Sequence, residues 1–121
     1  MPRILLADDN PGIRHSLRTL LTSQTDWEIC GEAENGKLAV EMVRTRSPDV
    51  VILDLSMPVM NGLAAARQIR EIAPDVPILL FTLHASPQLR EAARAVGIDE
   101  MLLKSDDPAL LLNAVRTLLD A

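Results

Sequence analysis

The chain has 121 residues, 48% of them apolar and 24% charged, which fits one globular domain with a buried core and excludes a disordered tail. Acids outnumber bases 17 to 12, for a net charge of −5, which works against non-specific nucleic-acid binding by this chain alone. The single cysteine excludes an internal disulfide or a cysteine-rich zinc site, and two aromatic residues are too few for stacked flavin or base recognition.

The first apolar run, Ile4-Leu5-Leu6-Ala7, is continuous, as suits a strand covered on both faces. It ends in Asp8-Asp9. Asn10-Pro11 then places a capping side chain before a proline at the first helical position. Ile13, Leu17, Leu20 and Leu21 share one face of the helix that follows, and His15 falls on its polar side. The second run, Trp27-Glu28-Ile29-Cys30, is interrupted by Glu28 and reads as an edge strand, with Cys30 a small core hydrophobe. Its end, Gly31-Glu32-Ala33-Glu34, offers no group comparable to those at the other strand ends. Leu38, Val40, Met42 and Val43 mark a less regular second helix.

Val50-Val51-Ile52-Leu53 forms a third buried strand and ends in Asp54. The Met57-Pro58-Val59-Met60 loop reads as packing beside that end. Leu63, Ala66, Ile69 and Arg70 sit in a third helix, closed by Pro74. Val76 to Phe81 forms a fourth strand ending in Thr82, with His84 two residues beyond as a loop residue at the rim. Ser86-Pro87 repeats the cap-proline start; Leu89, Ala92, Ala93 and Val96 form the face of a fourth helix, stopped by Gly97. Met101-Leu102-Leu103 forms the last strand and ends in Lys104. Asp107-Pro108 opens a fifth helix with Leu111, Ala114, Val115 and Leu118 on its buried face. Leu110, Leu112 and Leu119 lie off that stripe, so some of them need exposure or a partner.

Five strands alternating with five helices predict a three-layer α/β domain with a doubly wound parallel sheet. Ligands of such sheets bind beyond the C-terminal strand ends. There the sequence brings Asp8, Asp9, Asp54, Thr82 and Lys104 to one edge. The opening Met-Pro-Arg-Ile-Leu-Leu-Ala-Asp-Asp meets acids too early for a secretory leader. No apolar run approaches the roughly 18 residues of a membrane span. A cytoplasmic single domain over 1–121, with no membrane partner, is the expectation.

The pair Asp8-Asp9, the segment Asp54-Leu55-Ser56-Met57-Pro58-Val59-Met60-Asn61-Gly62, Thr82 at a strand end and Leu102-Leu103-Lys104 together resemble the receiver domain of two-component response regulators. The resemblance spans essentially the whole chain, and its wording is most similar to receivers of LuxR-type helix-turn-helix regulators. It implies a flavodoxin-like (βα)5 fold with strand order 2-1-3-4-5. In that order the first and third strands are neighbours about 4.8 Å apart, and Asp8, Asp9 and Asp54 crowd together. Such carboxylates repel unless a cation intervenes, and oxygen-only ligands with open positions suit Mg²⁺. Lys104 would start roughly 10 Å from Asp54 at the backbone, a gap an extended side chain largely closes. That constellation suits attack of the Asp54 carboxylate on phosphorus.

The resemblance further implies a role for each residue. Asp54 accepts a phosphoryl group from a sensor histidine kinase. Asp8 and Asp9 hold Mg²⁺, Asp9 more directly, and Ser56 offers its backbone carbonyl. Thr82 is the switch hydroxyl and Lys104 pairs with the phosphate. Enzymatic activity is confined to Mg²⁺-dependent self-phosphorylation and slow autodephosphorylation. Homodimers through helix four, strand five and helix five, or through helices one and five, are expected of relatives. DNA would be reached only through an output domain outside this chain, in transcription regulation.

The sequence departs from the family at three places. Met101 stands where an aromatic is usual, Ser105 where proline often follows the lysine in a cis bond, and Leu83 where a small residue is common. A cis bond without proline costs about 3 kcal/mol. Arg90 and Arg94 on the fourth helix read equally as a solvated face or as part of an output surface. Three competing functions fit the sequence less well. An aspartyl phosphatase would need a second acid where Ser56 stands, and a flavodoxin-like cofactor binder would need aromatic stackers. A receiver working through protein contacts alone is opposed by the intact Asp54, Thr82 and Lys104, while Met101 keeps it open.

Overall fold

The computed structural model describes residues 1–120; Ala121, the last residue of the expected domain, lies outside the described residues. Strands and helices alternate in chain order: β1 Arg3–Ala7, α1 Pro11–Ser23, β2 Glu28–Ala33, α2 Gly36–Arg46, β3 Val50–Leu53, α3 Gly62–Ile72, β4 Ile78–Thr82, α4 Pro87–Ala95, β5 Glu100–Leu103 and α5 Pro108–Asp120. The strands form one sheet in the order β2-β1-β3-β4-β5, all pairs parallel. This is the doubly wound arrangement expected from the alternation of elements and the strand order that the family resemblance implies.

Alternate residues of each central strand feed opposite sides of the sheet. Leu5, Ala7, Val51, Leu53, Ile78 and Leu80 pack under α2, α3 and α4. Ile4, Leu6, Val50, Ile52 and Leu79 pack under α1 and α5. Both faces of β1, β3 and β4 are covered, which is why their sequence is continuously apolar. Cys30 is buried in the first cluster, and burial raises its thiol pKa.

Helix starts follow local chemistry. Asn10 accepts from the Gly12 and Ile13 N–H groups ahead of Pro11, and Ser86 accepts from Leu89 ahead of Pro87. Asp107 accepts from the Ala109 N–H beside Pro108. Two further caps escaped the sequence reading: Asn35 accepts from Leu38, and Asn61 accepts from Ala64. Each is followed by glycine, not proline. Gly97 has φ 88°, a left-handed conformation that closes the α4 region.

Some boundaries differ from the sequence reading. The second strand begins at Glu28 and continues to Ala33, three residues beyond its expected end at Cys30, because Leu5, Leu6 and Ala7 pair with Gly31, Glu32 and Ala33. A register irregularity between Ile4 and Leu5 accommodates the extra length. The fourth strand begins at Ile78, not Val76, because Pro77 has no N–H to donate. Of the three extra leucines on α5, Leu110 is 48% exposed, Leu112 is buried and Leu119 packs partly against the second cluster.

Candidate phosphoryl-transfer site

The site lies at the C-terminal edge of the sheet. Asp8 follows β1 directly, and its N–H donates to the Ala33 carbonyl at 3.0 Å. Asp54 follows β3, and its N–H donates to the Ala7 carbonyl at 2.8 Å. These ladder bonds fix two carboxylates side by side on adjacent strands. Asp8, Asp9 and Asp54 each present one oxygen, and the three oxygens lie within 4.8 Å of one another. Asp8 is 2% exposed and Asp54 6%, while Asp9 is open to solvent.

Lys104 leaves the end of β5 and crosses to the acids. Its Nζ stands 2.8 Å from Asp8 Oδ2 and 3.2 Å from Asp54 Oδ1. Its backbone N–H donates to the Thr82 carbonyl at 2.7 Å. Thr82 ends β4 and is buried at the same edge. Asp8 Oδ1 accepts from the Asn10 N–H at 2.9 Å. Both oxygens of Asp8 are therefore engaged, which leaves Asp9 the freer carboxylate.

Burial raises the Asp54 pKa, and the neighbouring Asp8 charge adds to it; Lys104 opposes both but does not cancel them. Burial works against the Lys104 ammonium, yet its hydrogen bond to Asp8 and the charges of Asp8 and Asp54 together raise its pKa. Three clustered carboxylates outnumber the one ammonium that pairs with two of them, so in ionised form they carry excess negative charge. All donors are oxygens, which suits a hard divalent cation such as Mg²⁺.

The loop from Asp54 to Gly62 is held by one bond across its own ends and one from the start of α2. The Gly62 N–H donates to Leu55 O at 2.8 Å, and the Gly36 N–H donates to Met60 O at 3.0 Å. Met57 is buried against the core, as its packing role requires, while Ser56 is exposed two residues past Asp54. Val59 takes φ 68° and is 76% exposed. For a β-branched residue that conformation is strained.

Around the rim, Leu83 is 62% exposed, and His84 and His15 are exposed. Met101 packs partly buried against the α2–α3–α4 side of the core. Lys104–Ser105 is trans, as are all the described peptide bonds. Arg90 and Arg94 are exposed, and Arg94 pairs with Glu91 at 3.1 Å.

One group at this edge has a role that the sequence reading did not give it. Glu32, in the extended second strand, takes the Arg18 guanidinium on Oε2 at 2.7 and 2.5 Å. Its Oε1 faces Arg14 Nε at 3.4 Å. Arg14 also donates from Nη1 to the Asp8 carbonyl at 2.5 Å. The signal was present in Arg14 and Arg18, one turn apart on α1, but only with the second strand run to its true end.

Comparison with known proteins agrees with this architecture. The response regulator receiver domain matches residues 4–116. The nitrate/nitrite response regulator protein NarL of Escherichia coli (strain K12) is 36% identical over 112 residues, covering 93% of this chain and 52% of NarL. A protein-glutamate methylesterase/protein-glutamine glutaminase of Methanosarcina acetivorans is 38% identical over 120 residues, 98% of this chain and 34% of that protein. The chain thus spans a third to about half of the length of these curated relatives. A two-component response regulator of the LuxR family from Aurantimonas sp. SI85-9A1 superposes with a TM-score of 0.93 at 33% identity, covering 98% of this chain and 84% of that one. The signal receiver domain of the putative response regulator NarL from Mycobacterium tuberculosis superposes at 0.94 with 28% identity, covering 99% and 97%. The chain belongs to the response regulator receiver domain family, with LuxR-type regulators among its relatives.

Proposed function

We propose that the chain is a phosphoryl-accepting signalling switch in which Asp54 takes the phosphoryl group. The observation that carries this reading is the meeting of Asp8, Asp9 and Asp54 oxygens within 4.8 Å, with Lys104 Nζ bridging Asp8 and Asp54. Asp8, Asp9, Asp54 and the Ser56 backbone carbonyl would hold Mg²⁺. Bound there, the ion screens the nucleophile from the phosphoryl oxygens and neutralises charge developing on them. The chain supplies the rest. An Asp54 carboxylate oxygen forms the new bond to phosphorus, the bond to the donor breaks, and the leaving group departs with the electron pair. With a phosphohistidine donor the leaving group is the imidazole nitrogen, and the product is an acyl phosphate. Lys104 pairs with an oxygen of the transferred group, and the Thr82 hydroxyl donates to another.

The natural donor on this reading is a sensor histidine kinase, and the setting is cytoplasmic. Transcription regulation would follow through an output domain, the only route to DNA. The α4–β5 surface, where Arg90 and Arg94 meet Asp99, Glu100 and Met101 around a cleft of about 260 Å³, serves on this reading as an output or dimer surface. The face formed by α1 and α5 is the other dimer surface. No helix among the described residues is long and apolar enough to cross a membrane.

The test is labelling with acetyl phosphate and Mg²⁺, read by mass spectrometry. Wild type should gain one phosphate, chelator should abolish it, and Asp54→Ala should gain none. Phosphate elsewhere in wild type, or persistent labelling of Asp54→Ala, defeats the reading. Beryllofluoride with Mg²⁺ should shift amide resonances from Thr82 to Met101; silence there would refute coupling to the α4–β5 surface.

A further inference from the structure

We infer that Arg14 is a positioning residue for the divalent-ion site, holding the Asp8–Asp9 peptide in the orientation the ion requires. The inference rests on the proposed Mg²⁺ site. Arg14 touches none of the three carboxylates named above; its partner is backbone. Its Nη1 donates to the Asp8 carbonyl at 2.5 Å, and that carbonyl belongs to the peptide joining Asp8 to Asp9. On the other side, the Asp8 N–H is held by the Ala33 carbonyl at 3.0 Å. The two peptide groups flanking Asp8 are thereby pinned, one by the sheet and one by Arg14.

Asp9 needs this more than Asp8 does. The Asp8 side chain has its own restraints, in Lys104 and the Asn10 N–H. Asp9 is exposed and leaves the chain one bond beyond the pinned peptide. Rotation of that peptide would swing Asp9 away from Asp54.

Arg14 is itself braced. Its side chain is 17% exposed, and its Nε is buried without a hydrogen-bond partner, facing Glu32 Oε1 at 3.4 Å. Leaving that N–H unbonded in the interior is unfavourable. The placement is tolerated because the guanidinium reaches the Asp8 carbonyl and lies against Glu32, whose other oxygen is held by Arg18. Glu32 thus braces Arg14 at Nε, and the Nη1 bond to the Asp8 carbonyl, in which Arg18 takes no part, sets Asp8–Asp9.

Groups that hold metal ligands in place typically change affinity by about 10–100-fold when removed. For Arg14→Met we expect the low end, about tenfold weaker Mg²⁺ binding. The measurement is calorimetric titration of Mg²⁺ into the protein without a phosphoryl donor. Tryptophan fluorescence would serve poorly, since Trp27 precedes β2 at the opposite edge of the sheet. Arg18→Met is the control: it removes the neighbouring ion pair without touching Asp8, and its affinity should stay within about twofold of wild type. Arg14→Lys, which keeps the charge, should recover part of the loss. Wild-type affinity in Arg14→Met, or equal weakening in Arg18→Met, overturns the inference. Should Arg14→Met not fold, Arg14→Lys is read alone, and wild-type affinity there overturns it equally. If wild type neither binds Mg²⁺ nor labels at Asp54, it is the proposed function that fails instead.

Discussion

Gly62 is where the helix after the site presses directly on the backbone of Asp54, the proposed nucleophile. A Cβ added there would lie 3.1 Å from both the Asp54 carbonyl carbon and Leu55 Cα, and closer still to the Asp54 carbonyl oxygen, inside the 3.0 Å that real Cβ atoms essentially never breach. All three atoms are backbone, so no side chain can swing aside. Restoring an ordinary contact means moving α3 or the Asp54 peptide by about 1 Å, and interiors this close-packed resist that. The cost of Gly62→Ala should be about 1–3 kcal/mol, the usual range for overpacking. Misplacing a reacting group by about 1 Å can cost roughly 100-fold in rate, so labelling of Asp54 by acetyl phosphate should fall about 10–100-fold. Gly36→Ala supplies the matched comparison. Its Cβ would meet the Met60 backbone just as severely, at 2.9 Å from the carbonyl carbon and closer to the oxygen, but at the far end of the loop. Both variants should melt lower by similar amounts, while labelling falls several-fold further in Gly62→Ala. Equal loss of labelling in the two, or wild-type labelling in a folded Gly62→Ala, would refute the reasoning.

Three further outcomes follow from the charges and the loop. Asp54 has a raised pKa in the folded chain, so the folded state holds its proton more tightly than the unfolded one. Its favourable contribution is complete below the usual 3.8 and is lost as pH rises through the folded value. Asp54→Asn should therefore melt above wild type at neutral pH in chelator, with the gap closing as pH falls toward 3.8; a gap independent of pH would contradict it. Mg²⁺ should raise the wild-type melting temperature more than that of Asp54→Asn. Separately, Val59 holds φ 68° without packing to compensate, since it is 76% exposed. Val59→Gly should stabilise by roughly 0.5–1 kcal/mol in a urea melt, the relief of left-handed strain being partly offset by the freedom glycine gains in the unfolded chain. A destabilised Val59→Gly would show that the loop selects valine for packing.

The parallel sheet was legible because its central strands are covered on both sides and so are written as unbroken apolar runs. Once strands were placed, reading their ends located Asp8, Asp54, Thr82 and Lys104, because a doubly wound sheet delivers all those ends to one edge. Edge strands were read less well. The second strand has Glu28, Gly31 and Glu32 within it, and half of its residues reach solvent, so periodicity alone stops it at Cys30. With the strand stopped there, Glu32 reads as a strand-end residue without a role, and the bracing of Arg14 is not visible. The caps at Asn35 and Asn61 were missed for a related reason. Their following glycines are set by close approach to Met60 and Asp54, a tertiary demand that no local pattern announces.

Packing also says which half of the site can move. Every residue of β3 is buried, and α3 buries Gly62, Ala65, Ala66 and Ile69. In contrast, no residue of β5 is fully buried, and α4 buries only Ala93. Segments with few buried apolar contacts open at low free-energy cost, so the β5–α4 side is the compliant one. Lys104 joins the two halves. Its ammonium is shared between Asp8 and Asp54 on the rigid strands, while its backbone is hydrogen-bonded to Thr82 and continues from β5. Under the proposed transfer, phosphoryl oxygens on Asp54 would compete with Asp8 for that ammonium. A shift of Lys104 toward them pulls on the Thr82–Lys104 junction, and the strain relaxes on the side with least packing to resist it. On that proposal the charge change at Asp54 would be felt at α4 and β5 without any aromatic at position 101, because the lysine itself spans the gap.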